Sequence, residues 1–312
     1  MKTFIQVTEV WVPNASHDAL VFHSGLYGPH QRFRSGSEAM VFGYDEGLPG
    51  RAWAARHPIL LKNLQTGWFR RGELARDAGL TCGIALPLFA GDHLTAVLVM
   101  FCGQDAESIG AVEVWHNDEA QRPELALDDG YYGELDGFEF SARHSHFPRG
   151  EGLPGIVWDS GMPVVIPDLG HNRRFLRRDE ALHAGLCTGL GLPSSHRSGH
   201  SYVTVFLSAL GTPIARRFEI WTPDARLDRL LFLAGHCDRD PVLAATLDGC
   251  RIESRQGCLG RAWFSGIPAV TERLADDSSP NGRAAAAVGM AAMLAIPILE
   301  AGHCKAVVGL YL

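Results

Sequence analysis

Two segments of the chain set an aromatic side chain among arginines. The first is Asn63-Leu64-Gln65-Thr66-Gly67-Trp68-Phe69-Arg70-Arg71; the second is Asp168-Leu169-Gly170-His171-Asn172-Arg173-Arg174-Phe175-Leu176-Arg177-Arg178. Aligned on the prolines that follow, Phe69 falls over Phe175 and Arg71 over Arg177. An aromatic wall beside a guanidinium fork suits a flat or anionic small molecule. The same residue types also suit a core aromatic with arginines on a solvated helix face. Trp68, Phe69, Arg71, Asp168, Phe175 and Arg177 are the positions expected to meet a ligand. The rings would stack on it and the arginines would pair with its charge. Histidines concentrate in the middle of the chain: His144 and His146 are two apart on an expected strand, and His183 and Cys187 are four apart. Imidazole and thiolate are metal ligands, but no HExxH or paired CxxC accompanies them, so no metal is assigned. Which cofactor, if any, the chain uses is left open.

The elements that must position these residues come in triplicate. Gly47-Leu48-Pro49-Gly50-Arg51-Ala52-Trp53 returns as Gly152-Leu153-Pro154-Gly155-Ile156-Val157-Trp158 and again as Gly257-Cys258-Leu259-Gly260-Arg261-Ala262-Trp263, at intervals of 105 residues. Glu9-Val10-Trp11, Glu113-Val114-Trp115 and Glu219-Ile220-Trp221 recur upstream, as do Gly25, Gly130 and Gly235. Ala78-Gly79-Leu80, Ala184-Gly185-Leu186 and Val288-Gly289-Met290 recur downstream, ahead of strands marked by Pro87, Pro193 and Pro297. Four markers in one order, three times over, define a triplication. The expected repeats are residues 1–108, 109–213 and 214–312. Tryptophans that recur in all three suit scaffold better than binding.

Within one repeat, Phe4 to Val12 and Ala19 to Phe22 read as a strand hairpin. Ala39 to Phe42 leads into the Gly-Leu-Pro-Gly turn, and Arg51 to Arg56 reads as a short helix stopped by His57-Pro58. Ile59 to Leu61 is a strand, the variable segment ending near Ala78 is helical, and Ile84 to Phe89 with Leu94 to Cys102 forms a second hairpin around Ala90-Gly91-Asp92-His93. The unit is α+β: mainly antiparallel strands with helices covering them.

These residues resemble the GAF domain family, over nearly the whole chain and three times. The resemblance implies an antiparallel sheet flanked by helices, with a small-ligand pocket between one sheet face and the variable segment. It also implies a sensory or ligand-binding role. The third variable segment, Asp276-Asp277-Ser278-Ser279-Pro280-Asn281-Gly282, has neither the aromatic nor the arginines, and the third repeat is expected to be structural. GAF domains in signalling proteins usually sit between long helices. Only Gln104 to Gly110 and Gly211 to Arg216 join these repeats, so three closely packed, helix-trimmed modules are expected. With the last strand, Lys305 to Leu312, at the end of the sequence, output is expected to pass to a protein partner or to oligomerisation.

The resemblance carries an enzymatic alternative. Some GAF proteins are free methionine-(R)-sulfoxide reductases, which use a pocket cysteine as nucleophile and another to resolve it. Cys82, Cys187 and Cys258 lie near the relevant motifs, each offset from the matching position, and buried structural thiols fit them equally. Bilin attachment has no Cys-His pair to support it. The signature of the cyclic-nucleotide-binding group is absent, as are P-loop and GxGxxG fingerprints.

Composition sets the outer limits. The 312 residues are 46% hydrophobic and 20% charged, with net charge −7. No global positive field attracts nucleic acid, and no run reaches the ~18 apolar residues of a membrane span. The sequence opens directly on a strand, without a secretory signal pattern. Seven cysteines, an odd number without CxxC, suit reduced thiols in the cytoplasm.

Overall fold

The computed structural model describes residues 3–65, 67–103, 109–197, 199–224, 226, 228–237 and 243–312. The expected connector Gln104 to Gly110 therefore falls largely outside the described residues. In the first module the strands are β1 (Ile5–Pro13), β2 (Ala19–Leu26), β3 (Val41–Gly43), β4 (Ile59–Leu61), β5 (Leu80–Ala90) and β6 (His93–Gly103), with helices α1 (Gln31–Glu38), α2 (Gly47–Ala55) and α3 (Gly72–Asp77). The second has β7 (Gly110–Asp118), β8 (Leu125–Tyr131), β9 (His146–Phe147), β10 (Val164–Pro167), β11 (Leu186–Arg197) and β12 (His200–Ala209), with α4 (Asp136–Arg143), α5 (Gly152–Ser160) and α6 (Arg178–His183). The third has β13 (Arg217–Asp224), β14 (Arg229–Cys237), β15 (Arg251–Glu253), β16 (Ala269–Thr271), β17 (Met293–Glu300) and β18 (His303–Tyr311), with α7 (Leu243–Leu247), α8 (Gly257–Ser265) and α9 (Pro280–Ala287). Each module is one six-stranded sheet in the order β3-β2-β1-β6-β5-β4 or its equivalent, with antiparallel pairing throughout. No described helix exceeds nine residues, and Gly211 to Arg216 joins β12 to β13 without one.

The Gly-Leu-Pro-Gly motif forms the first turn of its helix instead of preceding it. Helix α2 starts at Gly47, four residues before the expected Arg51. The fourth motif residue shows why the motif recurs. A Cβ on Gly50 would lie 2.2 Å from the Gly43 carbonyl oxygen, one on Gly155 2.1 Å from that of Pro148, and one on Gly260 2.5 Å from that of Glu253. Only glycine lets the helix start press against the strand before it.

Both faces of the sheets are buried. Along β6, Val97, Val99 and Phe101 face the helices of their own module. Ala96, Leu98, Met100 and Cys102 face a cluster drawn from all three modules, where they meet Leu190, Phe206, Ile296 and Val308. Alternation with period two on a doubly covered strand explains why Ala96 to Cys102 is apolar without a break.

The modules close into a ring. β4 lies against β8, β10 against β14, and β16 against β2. A hairpin side chain of one module also bonds a carbonyl at the end of its neighbour's short helix. Ser195 Oγ donates to the Arg56 carbonyl at 2.9 Å, Lys305 Nζ to that of Ser160 at 3.0 Å, and Thr95 Oγ1 to that of Gly266 at 3.1 Å. These carbonyls are the ones an α-helix leaves unpaired at its C-terminus. The same contact is used head to tail three times and the circuit closes, the heterologous arrangement of a ring within one chain.

Candidate functional site

Each module buries a glutamate at its centre. Glu9, Glu113 and Glu219 stand on β1, β7 and β13 at 0% exposure. Trp11, Trp115 and Trp221, two residues on and facing the same side, donate indole N–H to them at 3.0, 3.0 and 2.9 Å. Arg71 Nη1 and Nη2 grip the Glu9 carboxylate at 2.5 and 3.0 Å, and Arg177 grips Glu113 at 2.7 and 2.6 Å. Tyr27 and Tyr132 add phenolic donors at 3.1 and 3.2 Å. Burial, and then the neighbouring carboxylate, pushes both phenols above their ordinary pKa, so they remain donors. These donors compensate a charge that would otherwise be too costly to bury.

The third module builds the same centre from other positions. Asn281 stands where Arg71 and Arg177 stand and donates to Glu219 at 3.0 Å. The guanidinium comes from Arg217, in the place of Val7 and Ala111, with Nε 2.6 Å from Glu219. The phenol comes from Tyr311, in the place of Phe101 and Leu207, at 2.6 Å, while Cys237 occupies the Tyr27 and Tyr132 position. The module expected to lack the feature thus keeps the chemistry with its parts exchanged.

The aligned pairs Phe69 with Arg71 and Phe175 with Arg177 therefore fall at equivalent places. They lie in the module interior: Arg71 is 3% and Arg177 4% exposed. Each guanidinium sits among rings, Arg71 at 4.7 Å from the Phe33 centroid and 5.4 Å from that of Phe69. An anion could reach either arginine only by competing with Glu9 or Glu113. Trp68 packs at the edge of the core cluster that holds Phe69, while Asp168 stands outside the module interior. Trp68 is covered by the Arg51 guanidinium at 4.1 Å, and Asp168 is exposed and paired with His171 at 2.8 Å. The three glutamates were the residues that alignment of the arginines overlooked. Their signal was a glutamate inside an apolar β-run, repeated three times.

A cavity of about 610 Å³ opens where the three second hairpins meet, lined by residues of every module. Pro87, Pro193 and Pro297, equivalent residues of β5, β11 and β17, converge on it. Its walls carry stacked cations, Arg56 over Phe89 at 4.1 Å and Arg149 over Trp158 at 4.2 Å. Ion pairs Arg56–Asp92, Arg149–Glu119 and Lys305–Glu300 ring it at 3.1, 2.7 and 3.0 Å. Trp158 has a buried indole N–H with no hydrogen-bond partner among the described residues. The volume lies within the range of small-molecule sites.

Cys82, Cys187 and Cys258 fall in three different modules, on β5, β11 and α8. Cys82 is buried, and burial followed by the adjacent Cys102 raises its pKa. Burial pushes the Cys258 thiol up to about 11, and its Sγ lies 3.2 Å from the Ala269 carbonyl oxygen. Cys187 is half-buried, with Sγ 3.5 Å from the Ser208 carbonyl oxygen. None of the seven cysteines is in a disulfide. His144 and His146 do not share a strand. His144 caps α4, with Nδ1 2.7 Å from the Phe140 carbonyl oxygen, and only His146 enters β9. His183 ends α6 and turns back to the Asp179 carbonyl, while Cys187 is the second residue of the next strand.

A six-stranded antiparallel sheet in the order 3-2-1-6-5-4, with short helices on one face, defines each module as an α+β domain. Residues 10–114 match the family model of the GAF domain. That match spans the first module from β1 to β7, and the other two modules repeat the first one's strand order. No protein of curated function matches the chain. Among solved structures, NreA of Staphylococcus aureus, mutated in its nitrate binding site, is 19% identical over 34% of this chain and 78% of its own, with TM-score 0.27. The GAF domain of A. aeolicus nlh2 in an inactive state is 18% identical over 33% of this chain and 59% of its own, with TM-score 0.26. That of an Acinetobacter phosphoenolpyruvate-protein phosphotransferase is 14% identical over 32% and 56%, with TM-score 0.24. Each likeness covers about one module, and the last two span under two thirds of the matched chain.

Proposed function

We propose that this chain is a small-ligand sensory protein in which ligand binding is read through the mutual packing of three GAF-type modules. The observation that carries the reading is the 610 Å³ cavity to which all three modules contribute. A ligand there touches three bodies at once, so it favours whichever arrangement fits it and shifts the population accordingly. Carboxylates, guanidiniums, serine hydroxyls and aromatic faces suit a small polar molecule. Output then passes to a partner chain or through oligomerisation. Seven cysteines outside any disulfide support a cytoplasmic setting, and no described helix is long and apolar enough to cross a membrane.

Native mass spectrometry of freshly purified protein, set against its denatured mass, tests the reading. A bound mass is expected that is lost in Ala301→Trp, which fills the cavity, and kept in Arg71→Lys. The reverse pattern would move the ligand inside the modules, to Trp68, Phe69 and Arg71 with their counterparts Asp168, Phe175 and Arg177. That result would overturn the junction site.

A further inference from the structure

The seam between the third and first modules has a character that the other two seams lack. A second cavity, about 570 Å³, opens there against Arg255, Arg261, Phe264 and Ser265 of the third module and His23 of the first. The chain carries 35 acidic residues against 28 lysines and arginines, yet none of the described residues lining this cavity bears a carboxylate. Glu272 nearby is taken by Arg34, 2.9 Å away.

Arg255 stacks its guanidinium over the Phe264 ring at 3.8 Å. Its side chain makes no hydrogen bond or ion pair among the described residues. Stacking fixes the planar fork while leaving its edge donors free. Arg261 donates through Nη2 to the Val270 carbonyl and Thr271 Oγ1, at 3.2 and 3.1 Å, with other N–H groups to spare.

The backbone supplies an independent observation. Arg255 has φ 66, in the left-handed region. The equivalent residues just ahead of α2 and α5 are Asp45, with φ 62, and Gly150, with φ 81. Glycine and aspartate adopt this conformation more readily than arginine. A strained residue that persists where its two counterparts are relaxed points to a use for its side chain. The other positions change with it. Arg261 corresponds to Arg51 and Ile156, Phe264 to Ala54 and Asp159, and the bulged His23 to Asp128 and Leu233. The first-to-second seam thus holds two acids and one base, and the second-to-third seam one acid and no base.

We propose that the seam between the third and first modules is a binding site for a small organic oxyanion, a carboxylate or a phosphate ester, gripped by Arg255 and Arg261 with His23 closing it from the other module. The site is independent of the central cavity, and a ligand in it would brace two modules against each other.

Benzoate and inorganic phosphate, titrated separately at millimolar concentration and followed by protein chemical shifts, test the proposal. At least one should bind, with shifts centred on Phe264 and His23, and the responding probe identifies the oxyanion. Arg255→Gly installs the second module's residue and relieves the backbone. It should weaken binding about tenfold or more while leaving the melting temperature equal or higher. Ala301→Trp, which fills the central cavity, should leave this binding intact, so the two sites fail separately. Absence of binding by both probes, or affinity unchanged in Arg255→Gly, would overturn the assignment.

Discussion

Arg217 and Glu219 stand two residues apart on one face of β13, and the guanidinium Nε closes on its own strand's carboxylate at 2.6 Å. In the other two modules the arginine arrives from the far end of the variable segment, more than sixty residues away, to meet the same glutamate. One buried carboxylate has therefore been neutralised by two routes. What is common to the three modules is the charge balance at the core, and the position supplying the cation is exchangeable.

That exchange is open to transplantation. Removing one partner of a buried pair costs roughly 3–5 kcal/mol, so Arg71→Ala should lower the urea midpoint sharply. Arg71→Asn combined with Val7→Arg copies the third module into the first and should recover most of the loss. If the double variant is no more stable than Arg71→Asn alone, the two centres are not interchangeable.

The seam contacts should be coupled through the ring. Thr95→Val and Ser195→Ala each remove one hydrogen bond to a helix-end carbonyl, worth about 1 kcal/mol. They lie on different seams, and distant sites usually add. In a closed ring a single opened seam is still held by the other two, so the double variant should lose more than the sum. Strict additivity in a double-mutant cycle by chemical denaturation would show independent modules.

Alkaline pH should destabilise the fold. Burial raises the Tyr27, Tyr132 and Tyr311 phenols, puts Cys258 at about 11 and Cys304 at about 12. A group raised in the folded state contributes stability that is complete below its unfolded value, 9.0 for the thiols, and is lost as pH rises towards the folded value. Melting temperature should fall progressively above pH 9. At neutral pH Cys82 and Cys258 should resist iodoacetamide until the protein is unfolded. Rapid labelling of either in the folded protein would favour thiol redox chemistry instead.

Mild acid should weaken the seam between the first and second modules. His57, Tyr202, His116 and His200 form a ladder of rings across it, with neighbouring centroids 4.6, 4.4 and 5.4 Å apart. His116 is depressed, first by burial and also by His200 and His57, against the opposing pull of Asp128 and Asp118. A histidine depressed in the folded state contributes stability that is whole above its ordinary 6.5 and lost as pH falls below it. His116→Phe should flatten this dependence in melts between pH 5 and 7. An unchanged slope would place the acid sensitivity elsewhere.

Much of one module was legible along the chain. The first hairpin, the short strand Ile59 to Leu61 and the hairpin around Ala90 to His93 all follow from local apolar runs and turn residues. The helix start at Gly47 was not, because a Gly-Leu-Pro-Gly run reads equally well as a turn before a helix or as the helix's first turn. The adjacent strand's carbonyl decides between them. Arg71 and Arg177 stood out by type and spacing, but an arginine's charge gives no sign of whether it meets solvent, a ligand or a buried acid.

The sequence by itself determined the triplication, the α+β unit and the equivalence of Phe69 with Phe175 and of Arg71 with Arg177, because all of these are periodic in the chain. Tertiary structure alone decided that Arg217 substitutes for a residue of a different segment, that equivalent prolines converge on one cavity, and that Arg255, Arg261 and His23 face one another. Those relationships join residues far apart in sequence, in His23 and Arg255 from opposite ends of the chain. They exist only because three sheets bury their outer faces together and the ring closes.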